Sequence, residues 1–230
     1  MDYEQRDLPA PSVRSVVAEV EETLAFGPRC KAEAERLGVV DVSARLTAGL
    51  SVLGDGAEWI WNLADQQFAG AAQLLDVYHG VEKLADAGRE EFGLGTPRME
   101  RWLDEARGKL VADGYDGVCE ALSRPATGRA DGSEAEDGTA QGCQWRGGEE
   151  AAKVLNYFCS HRERLGYAVR LLRGQAIGSG LVEGTIKQRV NVRMKRGSAR
   201  WLVEHIGPFV ELMAMADSPE WSEFWHLMAI

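Results

Sequence analysis

Two short stretches of this chain read as buried strands, residues 46–53, interrupted by Gly49, and residues 73–77. So few strands cannot bury a core by themselves, and most of the apolar pattern instead repeats at helical spacing. Val13, Val16, Val17, Val20 and Leu24 mark a helix over 12–25, and a second short one spans 29–37, closed by Gly38. Residues 58–68 carry Trp59, Trp61, Leu63 and Phe68. Residues 80–122 read as helical, with Val81, Leu84, Phe92, Trp102, Leu103, Leu110 and Val118 as buried anchors. Helix resumes over 149–173 through Val154, Leu155, Phe158, Leu165, Leu171 and Leu172, and again over 202–216 through Val203, Ile206, Phe209, Val210 and Met213. Trp221, Phe224 and Trp225 close the chain as packing aromatics. The fold class is therefore α/β, mostly helical. Residues 125–148, rich in Gly, Ala, Asp and Glu, read as a long acidic loop or linker.

At 230 residues the chain can bury a substantial core in one or two domains. No apolar run approaches the ~18 residues of a membrane span, so no membrane partner is expected. Residues 1–7 lack the basic and apolar regions of a signal peptide, and a cytoplasmic location is the expectation. Cys30, Cys119, Cys143 and Cys159 are scattered, with no C-x-x-C pair, and read as reduced, structurally minor thiols. A formal net charge of −10 argues against a surface that binds nucleic acid all over. Its distribution is uneven: Lys187, Arg189, Arg193, Lys195, Arg196 and Arg200 fall in a stretch with no acidic residue.

That stretch follows the glycine turn Ile177-Gly178-Ser179-Gly180, after which a helix begins with Glu183 in its first turn. On a helical projection Val182, Ile186, Val190 and Met194 form the apolar stripe, and Glu183 falls inside it. A carboxylate aimed at the core side needs a partner, which a metal ion or Lys187 can supply. Equally, a glutamate in a first turn complements the helix dipole. Arg189, Arg193, Arg196 and Arg200 recur at spacings of four, three and four. They line one face if the helix continues past Gly197, either as a ridge for a phosphate backbone or as an ordinary solvated face.

Asp55, in Gly54-Asp55-Gly56, stands where the first apolar strand ends, a usual position for ligand chemistry in α/β proteins. The flanking glycines permit close approach. Asp-Gly is also a common turn dipeptide, so a plain turn aspartate is the alternative. Asp76 and His79 lie three apart at the end of the second strand. Such a pair can orient phosphate or tune a metal site, or it can be a structural hydrogen bond.

Three blocks resemble the DDE-type transposases of bacterial insertion sequences. Residues 177–183, followed by Arg193-Met194-Lys195 and 197–201, resemble that family's C-terminal signature. Residues 52–61 resemble its middle motif, and Leu74-Leu75-Asp76-Val77-Tyr78-His79 the segment after it. Asn156-Tyr157-Phe158 and residues 161–165 are also similar to the family. The resemblance implies a ribonuclease-H-like core in which Asp55 and Glu183, the second and third catalytic carboxylates, hold two Mg²⁺ (or Mn²⁺) ions, with Asp76 and His79 behind them. Such ions activate an attacking oxygen and stabilise the leaving one. It further implies DNA, the transposon ends, as substrate, and self-association or full-length transposase as partner.

The family's first aspartate, expected on an apolar strand upstream, has no clear counterpart: Asp2, Asp7 and Asp41 all lack that context. The expectation is therefore a truncated transposase with an incomplete core. It divides into an N-terminal helical segment (1–45), a partial core (46–79), a helical insertion (80–172) and C-terminal helices carrying Glu183 (173–230). The rival is a non-catalytic remnant that binds DNA or full-length transposase and inhibits it.

Overall fold

The computed structural model describes residues 15, 17, 22–40, 49–123, 148–180, 184, 186–195, 197, 200–216, 218 and 221–228. The chain is mostly helical, with one small parallel sheet of two strands, β1 (Ser51–Gly54) and β2 (Ala72–Leu75). It divides into two compact units. One is built on Leu74–Gly178, the other on Pro9–Gln73 with Ser179–Ile230, so the division falls inside β2.

In the unit of Leu74–Gly178, four helices supply most of the core: α3 (Val77–Phe92), α4 (Pro97–Asp113), α5 (Tyr115–Leu122) and α6 (Glu149–Ser160). A 3-10 turn (Arg162–Arg164) and α7 (Tyr167–Leu172) follow. α3 packs on α4 and α6, α4 on α5 and α7, and α5 on α6. Leu75, Leu84, Leu110, Val118, Phe158 and Tyr167 are fully enclosed. Each buried side chain of this size contributes about 1.5–3 kcal/mol of transfer free energy. Gly80 is what lets α3 approach its neighbours, since a Cβ there would stand 3.3 Å from Leu110 and 3.4 Å from Phe158.

The stretch expected to be helical over 80–122 is formed by three helices. Gly93 (φ 79°) and Gly95 (φ 69°) end the first. Thr96 then caps the second, its Oγ1 accepting the Met99 N–H at 3.2 Å, with Pro97 in the first turn. Gly114 (φ 59°) separates the second from the third. The expected helix over 149–173 is likewise broken after Ser160. The acidic stretch 125–148 lies outside the described residues apart from Gly148.

The second unit holds α1 (Thr23–Arg36), β1, α2 (Glu58–Gln67), a π-helical turn (Ile186–Asn191) running into an α-turn (Val192–Met194), α8 (Val203–Met215) and α9 (Trp221–Met228). α1 begins six residues before the expected start at Arg29 and runs through Pro28. Ala25 and Phe26 already bond back to the Glu22 carbonyl, at 2.9 and 3.1 Å. Gly27 faces Leu63 and Gln67 of α2 closely enough that a Cβ would come within 3.2 Å of Gln67. Packing against α2 thus outweighs the one intrahelical bond that proline removes. Most of the expected helix over 12–25 lies outside the described residues, as do residues 46–48 of the expected strand over 46–53, of which residues 51–53 are formed in β1. In α9, Trp221 stacks on Phe224 at 6.0 Å, and Trp225 meets both rings edge-on at 5.3 Å. Among the described residues no helix is long and apolar enough to cross a membrane.

Candidate metal and nucleic-acid site

β1 ends at Gly54, which is buried beneath α2. A Cβ there would meet Ile60 at 2.9 Å and Trp61 at 3.1 Å, so packing requires glycine. Gly56 takes φ 99°, a left-handed value that favours glycine. Between these two, Asp55 is exposed, and its Oδ1 accepts the Ala57 N–H at 3.0 Å. That bond closes an Asx turn leading into α2, whose N-cap, Ala57, has no capping side chain of its own. The carboxylate therefore stands at the strand's C-terminal end, beside the positive end of a helix dipole. Both the ligand and the turn readings of the sequence fit this placement.

Glu183 and Arg196 lie outside the described residues, as do Asp2, Asp7 and Asp41. The segment after Glu183 departs from the expected regular helix. Its ladder widens to a π-helical turn at Ile186–Asn191 and the helix stops at Met194, with the Lys195 N–H bonded to Asn191 at 2.9 Å. Arg200 is outside any helix. The expected ridge of Arg189, Arg193, Arg196 and Arg200 on one continuous helical face is thereby corrected: the regular ladder that would align them ends before Arg196. Arg189 belongs to the π-helical turn. Lys187, Arg193, Lys195 and Arg200 are exposed, whereas Val190 and Met194 are half-buried, on the side assigned to them by the apolar stripe. Asp55 and these cations belong to the same unit.

Asp76 and His79 belong to the other unit. The strand expected over 73–77 ends at Leu75, and Asp76 is the N-cap of α3. Only 2% exposed, its carboxylate accepts the N–H of Tyr78 at 2.7 Å and that of His79 at 3.3 Å. Two of the four unpaired N–H groups of the helix start are satisfied in this way. The His79 ring faces along its own helix, Nδ1 standing 3.4 Å from Glu82 Oε2. Asp76 thus makes a structural hydrogen bond to the backbone N–H of His79.

Three features of the first unit escaped the sequence reading. A groove of about 930 Å³ runs beside α3, α4 and α5, with Phe92, Trp102 and Leu122 on its walls and Arg98, Arg101 and Lys109 among its charges. The Tyr167 hydroxyl is buried and meets no hydrogen-bond partner among the described residues. Burial, with Tyr157 and Asp76 close by, pushes its ionisation well above the ordinary tyrosine range. Finally, Cys119 and Cys159, forty residues apart in sequence, meet at the Tyr115 hydroxyl. None leaves a mark in the apolar pattern, because each depends on which helices pack together.

Among the described residues no group of three or more His, Cys, Asp or Glu side chains is placed to hold a metal ion. Asp55 offers hard oxygen donors of the type Mg²⁺ prefers. Comparison with family models, curated proteins and solved structures finds no match to the chain.

Proposed function

We propose that this chain is a DDE-type transposase polypeptide that engages DNA and carries two of the carboxylates of a metal-dependent strand-transfer site. The observation that supports this reading is Asp55, an exposed carboxylate at a strand end between a packing glycine and a left-handed one. It lies within the block that resembles the family's middle motif. Lys187, Arg193, Lys195 and Arg200, exposed in the same unit, supply local positive charge on a chain of net charge −10.

In the finer form of this proposal, β1 and β2 belong to an incomplete ribonuclease-H-like core, and the helices between Asp55 and Glu183 are its insertion. Asp55 and Glu183 hold Mg²⁺ or Mn²⁺. The bound ions supply activation of the attacking oxygen and neutralise charge on the leaving one. Asp55, fixed by its Asx turn, presents its carboxylate without reorganisation, and the basic segment positions the phosphate backbone. Transposon ends are the DNA partner, with a second transposase chain as protein partner.

The exposed basic segment also supports a second reading, in which the chain binds DNA, or a full-length transposase, without cutting and so inhibits transposition. The catalytic reading and the DNA-binding form of the inhibitory one both require the cations to meet phosphate. The test is binding of a fluorescent duplex over ~50–200 mM salt, where affinity falls by about 0.9 log units per log unit of salt for each phosphate neutralised. Replacing both Arg193 and Lys195 with alanine lowers that slope by about two units if each contacts one phosphate. An unchanged slope with an unchanged melting temperature overturns the assignment. Strand nicking in Mg²⁺ that is lost in Glu183→Gln separates the catalytic reading from the inhibitory one.

A further inference from the structure

α5 and α6 pack side by side and bring two thiols to one hydroxyl. Cys119 lies one turn after Tyr115 on α5 and is buried, 5% exposed. Cys159, near the end of α6, is exposed. The Tyr115 hydroxyl lies close enough to both sulfurs to interact with each of them. Its ring is fixed from outside by Arg162, whose guanidinium carbon is 5.0 Å from the ring centroid and whose Nη2 lies 3.2 Å from Asp116 Oδ1. Burial and the two thiols keep the tyrosine protonated far above its ordinary range, so it stays a hydrogen-bond donor at every physiological pH.

From this arrangement we propose that Cys119 and Cys159 are an oxidisable dithiol that a hydroperoxide converts to a disulfide joining α5 to α6. The exposed sulfur reacts first, because access governs which thiol meets the oxidant. Cys159 sulfur attacks the terminal peroxide oxygen: an S–O bond forms, the O–O bond breaks, and the alcohol or water leaves carrying the thiol proton. Cys159 is now a sulfenic acid. Cys119 sulfur then attacks Cys159 sulfur, the S–S bond forms, the S–O bond breaks, and hydroxide leaves as water with the proton from Cys119. Two thiols together lose two electrons and two protons, and one peroxide takes them up to give water and an alcohol, or two waters. The Tyr115 hydroxyl positions both sulfurs and donates its hydrogen bond to whichever is ionised. This pairing is independent of the transposase reading, since it uses only groups of the first unit.

The test is intact-mass and peptide mass spectrometry of the full chain after hydrogen peroxide, with blocking of the remaining thiols. The expected result is a monomer lighter by two hydrogens, with the Cys119 and Cys159 peptides cross-linked and Cys30 and Cys143 alkylated. Cys119→Ser, folded by circular dichroism, removes the cross-link and leaves a sulfenic acid at Cys159 that dimedone traps. Tyr115→Phe keeps the fold and slows cross-linking. Full alkylation of Cys119 and Cys159 after peroxide overturns the proposal, as does pairing of either with Cys30 or Cys143. Dimedone labelling at Cys159 in the unsubstituted chain, with no cross-link, overturns it too.

Discussion

The carboxylate of Asp76 accepts the backbone N–H of Tyr78 at 2.7 Å, and that contact starts α3. Removing it in Asp76→Ala leaves two N–H groups unpaired in a site where the aspartate is only 2% exposed. The expected loss is about 2 kcal/mol, at the upper end for N-caps, and Asp76→Asn, which keeps an acceptor, loses less. Urea unfolding of the three proteins measures this. If Asp76→Ala unfolds like the parent chain but loses divalent-ion binding, Asp76 is a site residue and not a cap.

Two glycines on neighbouring helices behave oppositely on substitution by alanine. At Gly108, within α4, an added Cβ meets nothing within 4 Å. Alanine there stabilises by about 0.5–1 kcal/mol through helix propensity. At Gly117 in α5 the Cβ would collide with the backbone carbonyl of Lys109, which cannot swing aside as a side chain end can. Gly117→Ala destabilises by about 1–3 kcal/mol. Thermal melts that rank the two variants the other way contradict the α4–α5 packing described above.

Glu33 gives the second unit an acid-sensitive contact. Arg36 grips its carboxylate through two bonds, Nε to Oε2 at 2.7 Å and Nη2 to Oε1 at 2.6 Å, and the Ser15 hydroxyl adds a third. The Arg36 hydrogen bonds hold the carboxyl below the usual glutamate value of 4.5. A carboxyl whose ionisation is lowered by folding stabilises at pH above that usual value, and the contribution is lost as pH falls through the folded one. Solvent screening limits it to about 0.5 kcal/mol. Glu33→Gln should therefore lower the melting temperature slightly near neutrality and converge with the parent chain as pH falls through the folded value, below the usual glutamate range. A gap that stays constant with pH contradicts the ion-pair account.

The bounds of two helices were legible in the sequence: α2 and α8 run within a residue of the expected bounds, although Trp59 and Val203, expected to pack, are exposed. α1 starts before the expected Arg29 because Gly27 is the point where α2 packs, and the helix runs through Pro28. Asp76 was read as a strand end when aspartate ahead of a helical run is also an N-cap signal. The break at Gly93 to Pro97 was written in the sequence, but the apolar anchors on both sides masked it. The π-helical turn left no trace, since one wider turn barely shifts the apolar spacing. For the site, the placement of Asp55 after a strand was legible from Gly54-Asp55-Gly56. The meeting of Cys119 with Cys159 was not, because it depends on the pairing of α5 with α6.

The most direct test of the account is Mn²⁺ binding, followed by the loss of the free-ion paramagnetic signal as protein is added. Asp55 and Glu183 are proposed to hold the ion together, so Asp55→Asn and Glu183→Gln should each weaken binding at least about tenfold, with the double variant little worse than either. Each variant keeps the shape of the side chain it replaces, and an unchanged melting temperature verifies the fold. Binding that survives both substitutions, or that is lost in only one of them, contradicts a shared site.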